Sequence, residues 1–195
     1  TLKGGLLRRG ENGLVVMPLL FCSLVAIVPG ILEEYDQMYA HRIGLSIGMV
    51  GGWGGVRTGL EALGSRFAFV LKKWFGSIRR LCLPVIAGGV LLFVSVYADS
   101  IYLLPVYGLF YAVISGVTVL TEGMLLRHIP SARRATILSV SSLLMNVFGL
   151  ALYLGFAGAS ALGDLRTGFL AMAGYTMIVA VVFLLVGGIK QEARR

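Results

Sequence analysis

Long apolar runs separated by short polar stretches set the pattern of this chain. The runs cover residues 14–32, 43–65, 81–98, 101–121, 135–157 and 169–189. Each approaches the roughly 20 residues that a helix needs to cross the hydrocarbon of a bilayer. Only the second is interrupted by charge, at Arg57 and Glu61. None alternates at a period of two, as the strands of a membrane barrel would. In lipid an open strand leaves its backbone polar groups unpaired, so each run is expected to be helical. The pattern therefore predicts an all-α integral membrane protein with six transmembrane helices. The turn at Asp99 and Ser100 is short enough to make the third and fourth helices an antiparallel hairpin.

Composition agrees with lipid as the solvent. The chain has 195 residues, of which 57% are hydrophobic and 13% charged, and its mean hydropathy is +0.89. A soluble domain carries about twice that charged fraction. The net charge of +8 raises nucleic-acid binding, yet no continuous basic surface with stacking aromatics supports it. Cys22 and Cys82 fall in or beside apolar runs without metal-ligand spacing, and no metal or cofactor is expected. The chain opens on Thr1 with no signal-peptide pattern and reads as a piece of a longer protein, with residues 1–12 a linker and 13–195 the bundle.

Lysine and arginine choose the orientation. One set of helix ends holds fourteen of the basic residues, including Arg8, Arg9, Lys72, Lys73, Arg79, Arg80, Arg127, Arg133 and Arg134. The other set holds Arg42 and Arg166. Both termini are therefore expected in the cytoplasm.

Polar groups at membrane depth are the candidates for function. Arg57 lies near the middle of the second helix, and Glu61 follows at i+4 on the same face. The two read either as a self-neutralised pair or as a substrate or gating site whose partner changes between states. Glu33, Glu34 and Asp36 follow the first apolar run and read either as a solvated outer end or as an acidic mouth, with Glu33 the residue turned inward. Glu122 faces the basic stretch with Arg127, His128, Arg133 and Arg134 and suggests an inner salt bridge, either static or opening and closing. Asn146 sits at the middle of the fifth helix, in line with Ser139 and Ser142. Tyr107 and Tyr111 stand one turn apart on the fourth helix and suggest a cavity lining. Gly44, Gly48 and Gly52, like Gly51, Gly55 and Gly59, recur at four-residue spacing, which favours close helix packing or a sliding surface. Pro18, Pro29 and Gly30 suggest a kink or break in the first helix. The third and sixth spans carry no charge and read as lipid-facing supports.

The stretch Ile129-Pro130-Ser131-Ala132-Arg133-Arg134-Ala135-Thr136-Ile137-Leu138-Ser139 resembles the segment that joins the tenth and eleventh helices in many bacterial members of the major facilitator superfamily. Glu34-Tyr35-Asp36-Gln37 with Ile43-Gly44-Leu45, and Gly163-Asp164, are similar to other parts of its C-terminal half. The resemblance spans nearly the whole chain and implies one half, the C-terminal bundle, of a twelve-helix fold that rocks about a central site. Helices one, two, four and five of such a half flank the cavity. One departure stands out: Gly64-Ser65-Arg66 and Lys72-Lys73 keep the glycine and charge of the family's signature loop but lack its aspartate.

The expected function is a secondary active transporter working by alternating access, exporting a small organic compound against protons across the cell membrane, as in the inner membrane of bacteria. Its expected partners are an N-terminal six-helix half, a small-molecule substrate, a proton or cation, and the bilayer. Arg57, Glu61, Glu33, Asn146, Tyr107 and Tyr111 are the substrate or coupling candidates, and Glu122, Arg133 and Arg134 the gating candidates. A membrane scaffold or sensor of the same fold is the alternative. An intramembrane enzyme needs a nucleophile and base in one place, and the only histidines, His41 and His128, lie at opposite ends of the helices, so no catalytic residue is assigned.

Overall fold

The structure, a computed structural model, describes residues 12–127 and 129–192. The expected linker at 1–12 lies outside them except for Asn12, as do His128 and the terminal arginines Arg194 and Arg195. Among the described residues there are six α-helices and no strand: α1 Asn12–Arg42, α2 Ile47–Leu71, α3 Ile78–Ala98, α4 Leu104–Arg127, α5 Arg134–Leu162 and α6 Leu165–Glu192.

Five of the six are long and apolar enough to cross a membrane. The exception is α2, whose hydropathy is lowered by Arg57, Glu61, Arg66 and seven glycines. Its length alone, 25 residues, is sufficient to span about 37 Å.

The helices differ from the apolar runs most in α1. It continues through the acidic cluster to Arg42, and Pro18 and Pro29 lie inside it without interrupting it. A solvated helix end at Glu33 is thereby replaced by three further turns. The helix stops at Gly44, whose φ of +110° is open only to a residue without a Cβ. There Gly44 N–H donates to the His41 carbonyl and Leu45 N–H to the Ala40 carbonyl, a Schellman ending.

α1 and α4 occupy the middle of the bundle. α4 packs against α2, α3 and α1, while α3 and α6 form the most extensive pair and α5 leans on α1 and α6. The core is continuous through Phe21, Val28 and Leu32 of α1, Leu81 and Leu92 of α3, Phe110 and Ile114 of α4, and Phe169 and Ala173 of α6. Towards the Arg42 end it becomes aromatic. Tyr39 stacks on Phe169 at 4.7 Å and meets Tyr107 edge-on at 5.5 Å, and Tyr35 lies 4.5 Å from Phe156.

Close helix approach occurs elsewhere than the glycine repeats of α2 suggested. A Cβ on Gly48, Gly51, Gly52, Gly55 or Gly59 would meet nothing within 4 Å. At Gly64 it would stand 1.9 Å from the Ala112 carbonyl oxygen, so this glycine and Gly116 opposite fix the α2–α4 crossing. Ser65 and Ser115 hydroxyls tie the same crossing at 2.7 Å.

Candidate functional site

The six helices gather one cluster of opposed charges in the interior half of the α1–α2–α4 junction. α2 presents Arg57 and Glu61 one turn apart on the side facing α1 and α4. α1 presents Glu33 and Asp36 one turn apart on the side facing α2. The Arg57 guanidinium reaches Glu33 through Nη1 at 2.5 Å, Asp36 through Nε at 3.3 Å and Glu61 through Nη1 at 3.6 Å. The planar fork of arginine allows one cation to serve several carboxylates at once.

Aromatic residues close the cluster on the bundle side. Trp53 Nε1–H donates to Asp36 Oδ2 at 2.9 Å. The Arg57 guanidinium lies over the Tyr111 ring, 5.1 Å from its centroid, a cation–π contact. The Tyr111 hydroxyl shares a 2.9 Å hydrogen bond with that of Tyr107, and Trp53 stacks beside Tyr107 at 5.9 Å. Tyr107 also lies within electrostatic reach of Asp36.

Burial grades across the cluster. The Asp36 side chain is 2% exposed, Arg57 14%, Glu61 25% and Glu33 40%. The site thus runs from a closed end at Asp36 to an open end at Glu33. Asp36 Oδ1 is buried without a hydrogen-bond partner, and so is Glu61 Oε1. Unmade hydrogen bonds of that kind are costly. If all three carboxylates were ionised, Arg57 would leave two negative charges uncompensated. Bound protons or a cation would offset them.

Of the expected coupling residues, Arg57, Glu61 and Glu33 come together here, with Tyr107 and Tyr111 behind them. Both tyrosines are fully buried, so they support the charged groups instead of lining an open cavity. Asn146 is exposed on α5 away from the cluster. Ser139 bonds its own helix at the Ala135 carbonyl.

The expected inner gate is not assembled: among the described residues no ion pair joins Glu122 to an arginine. Glu122, Arg133 and Arg134 are each exposed, and Arg134 donates to the Ile129 carbonyl at 3.3 Å.

Of the acidic cluster it is Asp36, at 2% exposure, that turns inward, and not Glu33, at 40%. Asp36 shares a helix face with Leu32, Tyr39 and Ala40, all buried, and that i, i+3, i+4 relation was its signal. Trp53 was hidden as one more large residue in an apolar run. Glu33, Asp36 and Glu61 surround a guanidinium, and among the described residues no group of three potential ligands is placed to hold a metal ion.

A second charged group sits at the C-terminal end of α1. Arg42 Nη2 pairs with Asp164 Oδ2 at 2.9 Å and Asp99 Oδ2 at 3.3 Å. Arg166 donates from Nε to the Val96 carbonyl at 3.1 Å and from Nη2 to the Tyr97 carbonyl. These contacts tie the α1 end, the α3–α4 turn and the α5–α6 turn into one rim.

No protein-family model, no curated protein and no solved structure matches the chain.

Proposed function

We propose that the chain is the C-terminal six-helix half of a secondary transporter of the major-facilitator type, with the Arg57 cluster as its coupling site. The observation that carries this reading is the charge imbalance: three carboxylates meet one guanidinium at the junction of α1, α2 and α4. Charged groups at such depth are expensive and serve ion and substrate pathways. An excess of carboxylates calls for an exchangeable positive charge. A proton or cation entering the cluster would free Arg57 from one of its three partners, and departure would restore it.

The unequal coverage of the helices supports the same reading. α2 and α5 flank α1 and turn bare faces outward, with Gly48, Gly51, Gly55 and Gly59 on one and Ser139, Ser142 and Asn146 on the other. A second bundle, in the same polypeptide or another, would cover these faces and enclose the Glu33 end of the cluster. α3 and α6 instead expose large apolar residues, among them Leu83, Phe93, Ile178 and Leu185, as lipid-facing supports would. The basic helix ends orient both termini to the cytoplasm. Transport would be export of a small organic compound in exchange for protons.

The first experiment is the size of the native polypeptide, read by blotting membranes for residues 191–195. A band of about twice the chain's 20.9 kDa is expected for a two-repeat transporter. Proton-driven flux of the intact protein is then measured in vesicles with Asp36→Asn and Arg57→Ala. Both variants should insert and lose proton-driven flux. Unchanged flux in both would defeat the coupling reading, and a band at the chain's own size with no second half would favour a scaffold.

A further inference from the structure

Further along α2 from Arg57, towards Lys72, a trough runs between α2, α3 and α4. Its volume is about 390 Å³, and its walls are apolar, with Leu60, Leu63 and Phe67 facing Leu109, Val113 and Leu120. Along α4 it extends from Leu109 to Leu120, about 16 Å at the helical rise. That is about half the thickness of a bilayer's hydrocarbon, the depth of one leaflet. Gly64, Ala112 and Gly116, where α2 and α4 are in backbone contact, form the floor of the trough.

At one end only, the trough meets charge. A second cavity of about 200 Å³ shares Ala68 and Leu120 with it and is lined by Lys72 and Arg127. Lys72 lies over the Phe69 ring at 5.1 Å. Among the described residues neither Lys72 nor Arg127 makes an ion pair. Phe69 and Trp74 are exposed at this same end, 79% and 65% respectively. Exposed aromatics beside basic residues mark the level of lipid headgroups.

From this geometry we propose that the trough is a binding site for one anionic phospholipid of the leaflet on the basic side. The acyl chain lies over the α2–α4 crossing with α3 on its other side, and the phosphate sits between Lys72 and Arg127. Each half of the lipid meets its complement: an apolar channel one leaflet deep, and two cations at its mouth that form no ion pair among the described residues. A zwitterionic headgroup would bring its own cation against Lys72 and Arg127, and free phosphate would leave the trough empty. The site rests on the membrane reading above and adds regulation to it. Leu60, Leu63 and Gly64 belong to the turns that carry Arg57 and Glu61 or adjoin them, so a seated chain braces α2 against α3.

The test is native mass spectrometry of the intact membrane protein, purified in detergent with either phosphatidylglycerol or phosphatidylcholine. The parent should retain one phosphatidylglycerol and release phosphatidylcholine. Lys72→Gln with Arg127→Gln should weaken that retention about thirtyfold, the effect of removing two basic residues near a membrane surface. Leu109→Trp should weaken it as well, by filling the trough with both charges in place. Equal retention of the two lipids by the parent, or phosphatidylglycerol retention unchanged in either variant, overturns the site. Carbonate extraction of the source membranes separates the two readings: a chain that carbonate releases is not membrane-embedded, and the membrane reading falls first.

Discussion

α1 carries a charged cluster at each end of its last turns, and the two are built from the same residue types to opposite effect. Asp36 and Arg42 are six residues apart, about 9 Å along the helix. Around Asp36, one guanidinium serves three carboxylates among buried aromatic rings. At Arg42, two carboxylates are bridged by one exposed guanidinium, with Arg166 beside them on the backbone carbonyls of α3. The outer group is balanced and solvated, and it fastens three loops. The inner group is unbalanced and largely shielded, so its charges depend strongly on one another. Burial and charge balance, more than the residues themselves, separate a fastening from a site that invites an exchangeable charge.

Arg57→Ala breaks the inner cluster most severely. It leaves Glu33, Asp36 and Glu61 facing each other with no cation, and losing one partner of a buried charge pair costs about 3–5 kcal/mol. A thermal melt of the purified protein should show a large drop, and Arg57→Lys should recover only part of it because a single ammonium lacks the fork that reaches both Glu33 and Asp36. A melt unchanged by Arg57→Ala would show that the three carboxylates do not depend on this cation.

Asp36→Asn separates function from stability at the same place. The amide oxygen still accepts from Trp53, and one negative charge is gone. The melt should therefore stay within about 1 kcal/mol of the parent, while proton-driven flux is lost. Asp36→Asn that melts normally and still couples flux to protons would move the exchangeable site to Glu61 or Glu33.

The two clusters were unequally legible in the sequence. Arg57 and Glu61 declare themselves, because i+4 neighbours meet within one helix whatever surrounds it. Their partners depend on how α1 packs against α2, which no period within either run specifies. Asp36 was placed in the acidic cluster but the inward face was given to Glu33, because the apolar run ends there, although Leu32, Tyr39 and Ala40 carry the buried face past it. The six helices and the hairpin at Asp99 followed from run length and turn length, which are local. The glycine repeats of α2 misled about packing: a small-residue stripe permits close approach but does not specify a partner, and within this chain the approach falls at Gly64. Asn146 shows the same gap, since mid-span depth says nothing about which side of α5 is covered.

Arg42→Ala probes the outer rim and should do far less than Arg57→Ala. Its side chain is 30% exposed and that of Asp99 32%, and exposed pairs contribute about 1 kcal/mol or less. The melt should shift by a few degrees at most, and raising the salt should shrink the difference between variant and parent. A loss as large as that of Arg57→Ala would erase the distinction between the two clusters.

Asp164 gives the smallest effect and the clearest contrast in pH. Its carboxylate accepts from the Thr167 backbone N–H at 3.0 Å and from the Thr167 hydroxyl at 3.2 Å, capping α6, and pairs with Arg42 on its other oxygen. The Thr167 backbone hydrogen bond, followed by the contacts with Arg42 and the Thr167 side chain, holds the carboxyl below its ordinary 3.8. A group whose folded value is depressed binds its proton more readily when unfolded. Its stabilisation is therefore full above pH 3.8 and is lost as the pH falls through the lower folded value. Hydrogen-exchange protection in the first turn of α6, taken relative to the intrinsic rate at each pH, should stay flat down to that pH and fall below it. Asp164→Asn keeps a capping oxygen but has no proton to gain, so its protection should be slightly lower at neutral pH and lack the acid-side fall. An acid limb that survives Asp164→Asn would assign it to other groups of the rim.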